Sequence, residues 1–85
     1  MAQAATTLRR AEAARTAGRR MIARGERPMY RVEVVRMSPD VAFLIVELPW
    51  LRGNVASMRD LTDAARSIVG GWLEARPDAF DVEGP

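Results

Sequence analysis

Cysteine, histidine and lysine are all absent from this chain of 85 residues. Without cysteine there is neither a disulfide nor a thiolate metal site. Without histidine the commonest general base and the commonest metal ligand are both missing. Without lysine a Ser-Lys dyad is excluded, and the usual nucleophile–base pairs go with His and Cys. Aromatic side chains are few: Tyr30, Phe43, Trp50, Trp72 and Phe80. No glycine loop is placed to cradle phosphate, because Gly70-Gly71 falls inside a helical pattern and follows no strand. No apolar run is long enough to cross a bilayer; the longest, Val41–Leu51, is broken by Glu47. The N-terminus has no apolar core of a secretory signal. Its Arg- and Ala-rich, acid-poor composition resembles a mitochondrial transit peptide only faintly, so a cytoplasmic location is expected.

What is present is unevenly placed charge. Every basic residue is Arg, and residues 1–28 carry seven of them against Glu12 and Glu26. Residues 29–85 carry six Arg against nine acids. This divides the chain into a basic arm, residues 1–28, and a mildly acidic domain, residues 29–85. A chain this short has a modest core, and without disulfides or metal its expected route to stability is self-association.

The arm reads as a helix over Ala4–Arg24. Ala and Arg have high helix propensity, Thr6 or Thr7 is placed to cap it, and Gly25 with Pro28 ends it. Leu8, Ala11, Ala14, Gly18, Met21 and Ile22 share one stripe. Arg9, Arg10, Arg19, Arg20 and Arg24 lie on the other side, while Arg15 intrudes on the stripe. Three readings fit: a solvated helix packing its small-residue seam on the core or on a second subunit, an arm contacting DNA or RNA phosphates, or a membrane-surface helix. The last is disfavoured by an apolar face without Trp or Phe.

The domain reads as β-β-β-α-β. Strands are expected at Tyr30–Met37 and Val41–Leu48, joined by Ser38-Pro39-Asp40. A Pro-Trp-Leu-Arg-Gly turn follows, then a short strand near Asn54–Ala56. Ser57 and Asp60 form a capping-box pattern before a helix with the stripe Leu61, Ala64, Ala65, Ile68, Val69 and Trp72. Arg76-Pro77-Asp78 ends it, and Phe80–Glu83 closes the unit as a strand. The expected fold class is α+β: a three-stranded antiparallel sheet with one packed helix and a short closing strand, preceded by the basic helix.

Two features bear on function. The second strand is apolar on both faces, and one helix covers only one face of a sheet. The other face needs the arm, a sister subunit or a partner protein. Leu44, Val46, Trp50 and Leu51 are the candidate partner-binding residues, Trp50 serving either as a loop anchor or as a cover over the open end of the core. Glu33 and Glu47 sit on neighbouring strands, but Arg31 faces Glu47 across the hairpin, which favours an ion pair over a metal site. No catalytic residues and no cofactor are expected.

These residues resemble a known family. The Tyr30-Arg31-Val32-Glu33-Val34 strand, the Glu47-Leu48-Pro49 segment and Leu51 with Gly53 belong to the pattern. So do the helix with Leu61, Ala65, Ile68 and Trp72 and the closing Phe80-Asp81-Val82-Glu83 strand. Together, over residues 30–83, they resemble the partial ribonuclease-H-like domain of HicB-type antitoxins. The resemblance implies a homodimeric or larger non-catalytic domain that binds and masks a small basic toxin, an mRNA-cleaving protein. It does not extend to the C-terminal DNA-binding domain that members often carry, nor to the basic arm.

Overall fold

The computed structural model describes residues 2–85, with side chains from residue 7 onward. Helix α1 spans Ala2–Ala23 and is followed by strands β1 (Met29–Arg36), β2 (Val41–Ile45) and β3 (Leu48–Val55). A 3-10 turn at Met58–Asp60 leads into helix α2 (Leu61–Leu73), and strand β4 (Asp81–Glu83) completes the order. The class is α+β, and the sheet has four strands in the order β3-β2-β1-β4. β1, β2 and β3 are antiparallel neighbours, whereas β4 runs parallel to β1 with Tyr30 opposite Val82. The sheet is therefore mixed, because a parallel return needs a crossover and α2 supplies it.

β1 alternates as its sequence requires: Tyr30 and Val32 are buried while Arg31 and Glu33 are exposed. A bulge between Val34 and Arg36 interrupts the register and leaves Val35 56% exposed. On β2, Val41, Phe43 and Ile45 are buried, and Ala42 and Leu44 are half-buried on the opposite face.

β3 departs most from the sequence expectation. The Pro49–Gly53 run expected as a turn is part of a strand, and β2 ends at Ile45 rather than Leu48. Val46 and Glu47 make the tight turn, and Ile45 pairs with Leu48. The reason is positional. β3 is an edge strand, where proline is tolerated. Gly53 serves packing, since a Cβ there would stand 2.8 Å from Phe43 Cζ and 2.9 Å from Ile68 Cδ1.

On α2, Leu61, Ala65, Val69 and Leu73 are buried, with Ala64, Ile68 and Trp72 packed beside them. The expected capping box is altered: Ser57 Oγ bonds the Asp60 carboxylate at 3.2 Å, and neither side chain caps a backbone amide. The helix stops before Arg76-Pro77-Asp78, at Glu74, a left-handed residue (φ 55°) whose N–H reaches the carbonyls of Gly70 and Gly71. A Cβ at Gly70 would meet the Ala75 carbonyl at 3.4 Å and the Phe80 ring at 3.5 Å, ordinary contact distances, so packing does not require glycine there.

α1 begins earlier than expected, so Thr6 and Thr7 fall inside it rather than at its cap. Gly25, at φ 79°, follows its end. The helix packs beside α2 on the same side of the sheet. Ala14 and Ile22 join the core, and Gly18 is buried where a Cβ would stand 2.6 Å from Tyr30 Oη and 3.0 Å from Leu73 Cδ2. Further toward its N-terminus Leu8 is 68% exposed. The following segment is tied to β4. Arg27 Nη2 donates to Asp81 Oδ1 at 2.8 Å and to the Phe80 carbonyl at 3.2 Å, and Arg27 Nη1 donates to the Asp78 carbonyl.

Candidate protein-interaction surface

Both helices lie against one face of the sheet, so the other face is open. The register sets out its side chains in rows. Leu44 on β2 stands between Glu33 on β1 and Arg52 on β3. Ala42 stands between Arg36 and Asn54 in the next row. Val46, in the turn after β2, is 36% exposed. A shallow groove runs along this side, lined by Arg31, Glu33, Val46 and Glu83 together with Gly84 and Pro85.

The charges around this apolar strip differ in their commitments. Arg31 donates its backbone N–H to Glu47 Oε1 and its Nε to Glu47 Oε2, each at 2.8 Å. Partial burial opposes the Glu47 carboxylate, but the two Arg31 donors outweigh it and hold its pKa below 4.5. The expected cross-strand pair is therefore present, and Glu47 is engaged by a cation. Among the described residues no group of three or more carboxylates is placed to hold a metal ion. Arg52 turns its Nε to the Pro49 carbonyl at 3.0 Å, and among the described residues neither Arg52 nor Glu33 has an ion-pair partner.

The structure separates the four expected partner-binding residues. Leu44 and Val46 lie on or beside the open face. Trp50 and Leu51 lie on the helix side, half-buried against the core, and the Trp50 ring sits 5.9 Å from that of Trp72. Trp50 is therefore a strand residue packed on α2 and not a loop residue. Its indole Nε1 is buried without a hydrogen-bond partner among the described residues.

The five arm arginines expected opposite the stripe are also divided. Arg19 binds Glu74 at 3.0 Å, and Arg15 joins it at 2.9 Å. The hydrogen bond from Arg19 and the charge of Arg15 hold the Glu74 carboxyl below the ordinary carboxylate range. Arg24 pairs with Glu26 at 3.0 Å. Arg9, Arg10 and Arg20 are exposed and have no ion pair among the described residues. Helical spacing sets Arg9 and Arg20 opposite the docked stripe. Sequence reasoning missed the roles of Arg15 and Arg27. For Arg15 the signal was available, since a charge intruding on an apolar stripe needs a partner.

No family model, curated protein or solved structure matches the chain.

Proposed function

We propose that this chain is an antitoxin-like protein-binding module that masks a small, basic, mRNA-cleaving toxin and performs no catalysis itself. The observation that carries this reading is the open sheet face. Both helices pack on the opposite side, which leaves Leu44, Val46 and Val35 as an apolar strip framed by charge. An apolar strip on a uncovered sheet is a surface for association. The class of partner rests on the HicB resemblance of residues 30–83, whose β-β-β-α-β order the structure shares. The acidic balance of residues 29–85 favours encounter with a basic toxin.

The test is co-expression with a short basic protein encoded beside this chain. That protein alone arrests growth, this chain relieves the arrest, and Leu44→Glu abolishes the relief. A harmless neighbour, or relief untouched by Leu44→Glu, sinks the reading.

A second reading is a small nucleic-acid-binding regulator. It is favoured by one observation, the exposed Arg9, Arg10 and Arg20, which have no ion pair among the described residues. It requires DNA or RNA binding with a steep salt dependence that the triple replacement of these residues by Ser removes.

A further inference from the structure

The open face carries a charge pattern that fits itself. Its central row reads Arg52, Leu44, Glu33 across β3, β2 and β1. The two charges are of opposite sign, flank an apolar residue symmetrically, and lack ion-pair partners among the described residues. Neighbouring strands are about 4.8 Å apart, so Leu44 holds Arg52 and Glu33 roughly two strand spacings from each other.

We propose that this face docks a second copy of the chain, sheet against sheet, about a two-fold axis running along β2. This rests on the reading above that the open face is an interface, and the two partners use it in turn: a toxin that binds there displaces the second copy. The axis direction follows from charge. A two-fold along β2 reverses the strand order of the facing copy, so β3 of one copy lies over β1 of the other. Arg52 then meets the second copy's Glu33, twice by symmetry, and Leu44 packs on Leu44 between them. In the adjacent row Asn54 meets Arg36. A two-fold running across the strands sets Arg52 over Arg52 and Glu33 over Glu33, which like charge forbids. Packed sheets stand about 10 Å apart, a gap that facing Arg and Glu side chains bridge. The interface is self-complementary, as a two-fold contact must be.

Its size sets its strength. With the axis along β2 only β1, β2 and β3 face strands of the second copy, and three strands at about 4.8 Å by roughly five residues at about 3.3 Å make a face near 14 by 17 Å. That is smaller than the roughly 800 Å² that each partner buries in a standard stable complex. The pair is therefore reversible and falls apart on dilution.

Sedimentation velocity on the full chain over a range of concentrations tests this. The expected result is a monomer–dimer equilibrium that Glu33→Arg and Arg52→Glu each weaken by about tenfold, because each swap places like charges in contact. Both residues are exposed, so the variants fold, and circular dichroism checks that they do. The decisive step is mixing. The Glu33→Arg chain has two positive flanks and the Arg52→Glu chain two negative ones, so together they form a heterodimer that neither forms alone. The double variant regains wild-type association. A chain that stays monomeric throughout, or single variants that dimerise as wild type does, overturns the proposal. Failure here leaves the toxin-masking reading standing; that reading fails separately, through growth relief that survives Leu44→Glu.

Discussion

The two faces of the sheet are made by the same strands and obey different rules. On the helix side Phe43 and Ile45 are almost wholly excluded from solvent. One residue away, Leu44 is half-buried, and Val35 and Val46 are open. Strand propensity cannot separate them, since Val, Ile, Leu and Phe all suit a strand. What separates them is cover: α2 and the docked half of α1 both choose the same side. An apolar strand on both faces thus has two causes, a core on one face and, in the reading proposed above, an association surface on the other.

The largest test of that contrast compares Phe43→Ala with Leu44→Ala. Loss of the buried ring costs about 3–5 kcal/mol of unfolding free energy, and truncating Leu44 costs less than about 1 kcal/mol. Denaturant unfolding of the two variants at low concentration reads the difference, and equal costs would erase the distinction between the faces.

A smaller test uses the neighbours Gly53 and Asn54 on β3. A methyl at Gly53 presses on Phe43 and Ile68, so Gly53→Ala costs about 1–3 kcal/mol through overpacking. Asn54 faces the other way, and Asn54→Ala stays within about 0.5 kcal/mol in the monomer. A neutral Gly53→Ala would mean that the core face relaxes more readily than its packing implies.

The smallest effect concerns the seam between α1 and the domain. Glu74, bonded by Arg19 and facing Arg15, ionises below its ordinary 4.5. A carboxyl with a depressed folded-state pKa adds stability above its unfolded value and loses it as pH falls through the folded one. Protection of the α1 amides, taken relative to their intrinsic exchange rate at each pH, is therefore full above about pH 5 and falls as the solution is acidified below that. Glu74→Gln flattens the profile. Glu74 and Arg19 are exposed and Arg15 is only half-buried, so the change is modest and confined to the arm.

Much of this architecture was legible from residue spacing. The stripe from Leu61 to Trp72 named the buried face of α2, and the alternation from Tyr30 to Val34 named that of β1. Arg31 and Glu47 could be paired from the hairpin alone. β3 was not legible, because Pro49 and Gly53 carry turn chemistry in any local window. Their actual reasons are an edge position and the rings of distant residues. Of the candidate site, Leu44 and Val46 followed from the double-sided apolarity of the second strand. The misplacement of Trp50 followed directly from the misread strand.

The clasp between Arg27 and Asp81 joins residues 54 positions apart, and β4 supplies one of only two neighbours that β1 has. A ribosome delivers these in a fixed order. Arg27 and β1 emerge early, and Asp78, Phe80 and Asp81 emerge much later. In between, β1 presents a bare edge to any strand nearby, and the helix-side ring of Tyr30 waits for Phe80, its edge-on neighbour at 6.1 Å. A nascent chain halted short of Asp78 displays that edge permanently. Emergence of β4 is thus what covers that edge of β1, and a product cut before Asp78 leaves it exposed for pairing with another strand.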